Sequence, residues 1–248
     1  MVLSDVVFIL CRPSEPGNTG AVCRALKNMG LDRLRLVAPA PMDEELVRAR
    51  AVHAGDVWER AQVFDSLESA AADCSLVIGT TRRRGRRRKS VTMTPWEAAA
   101  YLRDRPGPAA LVFGNERTGL EGRELALCNL ASHIPADGAF PSLNLSHAVQ
   151  IYAYELFTAL AQAPDEPKGR SRPLDQDRIN ALVHSVSASL ESVGFYRHPG
   201  REDQERFFRD IFSRAALNPG EGRYLENIFA KMARLAIPPS GKPPLPRI

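Results

Sequence analysis

Two apolar runs without alternation constrain this chain more than any other feature: VVFIL at 6–10 and AALVF at 109–113. A strand that faces water on one side alternates polar and apolar residues. A run that does not alternate belongs to a strand buried on both faces, as in a parallel sheet covered by helices on either side. Both runs end in loop chemistry: RPSEPG at 12–17 after the first, Gly114 at once after the second. Shorter apolar segments at 34–37, 75–80 and 130–134 are separated by stretches of helical periodicity. Strands alternating with helices predict an α/β architecture around a parallel sheet.

The helix after the first run is marked by Ala21, Val22, Ala25, Leu26 and Met29, with Gly30 suited to its C′ position. Asn18 sits where a side chain could cap that helix. A further helix is expected over 43–53, and Ser66 begins a short Ala-rich one; 63–64 is ambiguous. TPWE at 94–97 is a capping box with proline at the first helical position, opening a helix that ends near 103–106. Pro135 stops the segment 130–134, a polar loop follows, and SLNLS at 142–146 leads into a helix marked by Val149, Tyr152, Ala153, Leu156 and Leu160. Ser146 is placed to cap it. Two strand ends, after Phe113 and after Ile134, and one helix start would then surround a single crevice, where open α/β sheets bind ligands.

Beyond this the composition shifts. The α/β domain is expected over 1–162 and a linker over 163–177, where APDEPKGRSRP carries three prolines and no apolar period. Three helical faces follow within 178–237: Ile179, Leu182, Val183, Val186, Leu190 and Val193; then Phe207, Phe208, Ile211 and Phe212; then Tyr224, Leu225, Ile228, Phe229 and Met232. So small an all-α unit has a marginal core and is expected to dock on something. The tail 238–248 is proline-rich, the composition of a disordered segment.

No apolar run reaches the roughly 18 residues a membrane span needs, and the N-terminus has no signal-peptide pattern, so a cytoplasmic protein with no membrane association is expected. Cys11, Cys23, Cys74 and Cys128 are scattered, which predicts reduced buried thiols and no metal site. Cys23 as a nucleophile has no supporting His or Asp pattern. Glycine motifs for dinucleotides or nucleotide triphosphates are absent from the sequence. The net charge of +4 is local: RRRGRRRK at 82–89 carries +7, leaving the remainder at −3. Arg82, Arg83, Arg84, Arg86, Arg87, Arg88 and Lys89 read as a phosphate-binding arm for RNA, against the plainer reading of a solvated loop.

Three stretches together carry a resemblance. PGNTGAVCRALKNMG at 16–30, FGNERTGL at 113–120, and HIP followed by SLNLSHAV at 133–149 resemble, in order and spacing, the three motifs of the SPOUT class of RNA methyltransferases. Within that class the chain is most similar to bacterial enzymes that methylate the ribose 2′-oxygen at tRNA position 32. The resemblance covers about residues 6–160. It implies S-adenosylmethionine as cofactor, tRNA as partner, a homodimer with the crevice at its interface, and a deep trefoil knot over about 111–160. It also implies a helical extension that binds tRNA. By the same resemblance Arg24 is catalytic. A guanidinium stays protonated under almost all conditions, so binding the phosphate beside the target ribose suits it better than acting as a base. Asn18 would position that ribose or phosphate, or cap its helix. Glu116 would organise Arg24 or the loop, and Ser142 and Asn144 would bracket donor and acceptor. Backbone groups of Thr80, Thr81, Gly114, Ile134, Leu143 and Leu145, with Ser142 and Asn144, would hold the cofactor. His133 and His147 match no catalytic position and are expected to be structural. A methyltransferase acting on ribosomal RNA and a catalytically silent RNA-binding module remain as alternatives.

Overall fold

The computed structural model describes residues 1–82, 92–161, 172–196 and 200–236. The chain divides into two compact units, Met1–Arg170 and Ser171–Ile248.

Among the described residues the first unit is built on a seven-stranded sheet in which every pairing is parallel. Its strands are β1 (Val6–Cys11), β2 (Leu34–Val37), β3 (Gln62–Phe64), β4 (Leu76–Thr80), β5 (Thr92–Met93), β6 (Ala109–Phe113) and β7 (Leu130–Ser132), in the order β3-β2-β1-β6-β4-β7-β5. Two late strands thus lie between earlier ones: β6 between β1 and β4, and β7 between β4 and β5.

The unbroken apolar runs are explained by what covers each face. All of β1 and all of β6 are buried. Side chains alternate across a strand, and the core divides accordingly. Val6, Phe8, Leu10, Leu111 and Phe113 join one apolar cluster with α1 (Pro16–Asn28), α5 (Pro95–Arg103) and α7 (Leu145–Leu160); Val7, Ile9, Ala110 and Val112 join another with α4 (Leu67–Ala71) and α6 (Gly122–Leu127). In the first cluster Phe8 stacks on Phe113 at 5.8 Å, and Tyr152 meets Phe113 edge-on at 5.5 Å. Two further helices, α2 (Glu44–Ala51) and α3 (Gly55–Glu59), pack on α1.

Several local expectations hold at the level of single residues. Ser66 and Thr94 cap α4 and α5, and Thr94 and Glu97 form the full capping box; the helix expected over 43–53 spans Glu44–Ala51, with Asp43 as its cap. Gly30 lies just past α1 at φ +66. Two caps are corrected. Pro16, with φ preset for a helix, starts α1 two residues before Asn18, so Glu15 is the N-cap and Asn18 lies in the first turn. At α7 the cap is Asn144, whose carboxamide oxygen accepts from the Ser146 backbone N–H and hydroxyl, both at 2.8 Å. The segment 130–134 is a strand only to Ser132, and 62–64 is an edge strand. The elements β5, α3 and α6 have two, five and six residues, too short to show a period in the sequence.

The second unit comprises α8 (Gln176–Ser192), α9 (Arg201–Ala215) and α10 (Pro219–Ala236), with α8 packed against both of the others. Its core is Leu174, Ile179, Leu182, Val183, Val186 and Phe212, extended by Phe208 stacked on Phe212 at 5.5 Å. Most of the linker and the whole tail 238–248 lie outside the described residues.

Candidate functional site

A crevice opens at the C-terminal ends of β4, β6 and β7 and is closed by the start of α7. Thr80, Thr81 and Arg82 line it after β4, Phe113 to Leu120 after β6, His133 and Ile134 after β7, and Pro141, Ser142, Leu143 and Leu145 from the loop into α7. Tyr152 of α7 reaches in from below; its hydroxyl donates to Ser132 Oγ at 2.7 Å, and burial holds its phenol above the ordinary range.

The loop after β6 doubles back on itself. Gly119 N–H donates to Asn115 O at 2.8 Å, with Gly119 at φ +69. A Cβ on Gly114 would lie 2.0 Å from the backbone of Gly119 and Leu120. Glycine at 114 is therefore dictated by close backbone approach. Thr80 Oγ1 donates to Val112 O at 2.9 Å, and Thr81 N–H to Ser132 O at 2.8 Å, so the three strand ends are fastened to one another.

The crevice loops are also fastened to the start of α1. The Glu116 carboxylate accepts from Ser14 N–H at 3.1 Å, Ser14 Oγ at 3.0 Å and Glu15 N–H at 3.1 Å. Asn115 Nδ2 donates to Arg12 O at 2.7 Å, and Asn144 Nδ2 to Asn18 Oδ1 at 2.9 Å. The Glu116 carboxylate thus faces the backbone ahead of α1 and makes no hydrogen bond to Arg24. Arg24 is exposed on α1, does not line the crevice, and has no hydrogen-bond or ion-pair partner among the described residues.

Of the expected cofactor-site residues, Thr80, Thr81, Gly114, Ile134, Ser142, Leu143 and Leu145 line the crevice, whereas Asn144, between two of them, is exposed and caps α7. In the basic stretch Arg82 reaches the crevice edge; Arg83, Arg84, Arg86, Arg87, Arg88 and Lys89 lie outside the described residues. Sequence reasoning did not assign Asn115, Arg117, Thr118, His133 or Tyr152 to the site. The first three stand inside FGNERTGL and His133 inside HIP, so the motifs held that signal; Tyr152 read only as one apolar position of a helix.

All four cysteines are buried and free, and burial pushes the Cys23 thiol up to about 12, the reverse of what a nucleophile requires. Among the described residues no group of three or more His, Cys, Asp or Glu side chains could hold a metal ion.

Residues 5–154, which hold the parallel sheet and the crevice at its strand ends, match the SpoU rRNA Methylase family, and the chain belongs to that family. Its relatives point within that family. It is 32% identical over 248 residues, 95% of this chain and 96% of the relative, to the tRNA (cytidine/uridine/adenosine-2'-O-)-methyltransferase TrmJ of Pseudomonas aeruginosa. It is 36% identical over 240 residues, 93% of this chain and 97% of the relative, to the tRNA (cytidine/uridine-2'-O-)-methyltransferase TrmJ of Citrobacter koseri. The solved structure of TrmJ from Z. mobilis ZM4 superposes with a TM-score of 0.74 at 31% identity, covering 91% of this chain and 98% of that one.

Proposed function

We propose that this chain transfers a methyl group from S-adenosylmethionine to a ribose 2′-hydroxyl of tRNA, at position 32 of the anticodon loop. The observation that carries the reading is the convergence of the three motif segments: the loops after β6 and β7 line one crevice, and Glu116 and Asn144 tie that crevice to α1. The crevice suits the cofactor. Gly114 lets the loop after β6 fold back on Gly119 and Leu120 and so shape one wall, and Phe113, Leu120, Ile134, Leu143 and Leu145 supply apolar lining.

The cofactor supplies a methyl group already activated by its sulfonium. The protein's part is positioning and charge. Backbone groups at Thr80, Thr81, Gly114, Ile134, Leu143 and Leu145 hold the adenosyl group. Ser142 and Asn144 bracket donor and acceptor, with Asn144 also fixing Asn18 toward the ribose or its phosphate. Arg24 binds the phosphate beside the target and polarises the hydroxyl. Its exposure and its place outside the crevice lining suit action on a partner's crevice, as in a homodimer with the crevice at the interface. The basic stretch 82–89 and the helical unit take the RNA backbone, the segment 111–160 forms the trefoil knot, and the enzyme works in the cytoplasm without a metal.

The test is methyl transfer in the presence of a chelator, using labelled S-adenosylmethionine with separate tRNA and ribosomal RNA, followed by nucleoside analysis. The reading expects label on a ribose 2′-oxygen of tRNA. Label confined to ribosomal RNA, or none with either RNA, would reject it.

A further inference from the structure

Arg12 stands at the end of β1 and lies outside the crevice lining. Its backbone is left-handed, φ +53, a conformation that side chains other than glycine adopt at a cost. The bend turns its guanidinium onto the far limb of the loop after β6. Nε donates to Glu124 Oε1 at 2.9 Å and Nη2 to Glu124 Oε2 at 2.9 Å, a two-pronged ion pair. Nη2 also donates to Gly119 O at 3.3 Å, and Nη1 lies 3.0 Å from Glu121 Oε1. The Arg12 carbonyl meanwhile accepts from Asn115 Nδ2 at the near limb. One residue therefore grips both limbs of a loop more than a hundred positions away, and that loop forms one wall of the crevice. Glu124 is buried and Arg12 partly so, and water screens such a pair less than one at the open surface.

We propose that Arg12 is a positioning residue: by gripping the 115–121 loop and the start of α6 it holds that loop in the shape that binds the S-adenosyl ligand, and so sets that ligand's affinity without touching it. The proposal rests on the function proposed above. Without the clamp the loop samples other shapes, and apparent affinity falls by the fraction of time the competent shape is lost. Lysine would restore only part of the effect, because a point charge cannot meet both carboxylate oxygens and the Gly119 carbonyl in one fork.

The test uses the full chain and S-adenosylhomocysteine as the calorimetric probe. Arg12→Ala is compared with Arg12→Lys, Glu124→Gln and a control, Asp73→Asn, which removes the ion pair with buried Arg35 away from the crevice. If the unclamped loop is competent about a tenth of the time, Arg12→Ala weakens binding about tenfold. Arg12→Lys and Glu124→Gln fall between it and wild type, and Asp73→Asn matches wild type. Hydrogen exchange on the ligand-free chain gives a second readout: amides of 115–120 exchange faster in Arg12→Ala, while those of β6 do not. Should Arg12→Ala not fold, Arg12→Lys and Glu124→Gln decide the matter by the same two readouts. Wild-type affinity and exchange in the Arg12 and Glu124 variants would overturn the proposal. So would equal weakening by Asp73→Asn, since the effect would then be one of general stability. A wild-type chain that binds no S-adenosylhomocysteine would overturn the function reading itself, and this inference with it.

Discussion

Arg24 and Glu124 show how differently two charged residues can be employed on one scaffold. Arg24 has no partner among the described residues, so its replacement removes little that holds the fold together. Arg24→Ala is expected to abolish turnover while cofactor affinity stays near wild type, and Arg24→Lys to be poor because lysine cannot make the two-pronged phosphate contact. Steady-state kinetics beside calorimetry checks both; near-normal turnover in Arg24→Ala would reject the assignment. Glu124 is the opposite case. Burial alone would raise its carboxyl, but the Arg12 hydrogen bonds and the Glu121 N–H outweigh burial and hold it below its ordinary value of 4.5. A carboxyl lowered in the folded state adds stability that is present above its unfolded pKa and lost as pH falls through the folded one. Wild type should therefore lose its advantage over Glu124→Gln on acidification below about pH 4.5. Thermal midpoints of the two proteins over pH 3 to 7 measure this, and a gap independent of pH would contradict it.

At the scale of elements, the loop after β6 is where sequence and site meet most directly. A methyl group at 114 would have to displace the backbone of Gly119 and Leu120, so Gly114→Ala should open the loop. Crevice binding should suffer more than the sheet, because β6 ends at Phe113. The expected result is a loss of cofactor affinity of about tenfold or more, with the far-ultraviolet dichroism of the folded chain preserved; unchanged affinity would show that the turn tolerates a side chain. The sequence made this loop legible because its glycines and its adjoining apolar run obey local rules. It likewise disclosed the helix starts at Asp43, Ser66 and Thr94, where capping is decided within four residues. Asn18 and Asn144 were harder to read. Whether an asparagine caps a helix depends on where a proline has already started it, and the bond between Asn18 and Asn144 spans 126 positions. The strand order was equally hidden: nothing local announces that β6 lies between β1 and β4, or that Arg12 answers Glu124.

For the whole molecule, the uneven charge predicts how RNA is held. The basic stretch 82–89 has seven cations and no aromatic side chain, so it should neutralise phosphates without reading bases. If about four of the seven make contacts, replacing all seven with serine should flatten the slope of log affinity for tRNA against log salt by roughly 3 to 4. Cofactor binding and discrimination between tRNA species should persist, and equal slopes would show a solvated connection only. A map of 2′-O-methyl groups in RNA from cells with and without this gene tests whether the crevice, α1 and the basic stretch together methylate a ribose of the anticodon loop. Methylation at tRNA position 32 is expected to disappear with the gene and to return with the wild-type chain but not with Arg24→Ala. An unchanged position 32, with a site lost from ribosomal RNA instead, would contradict it.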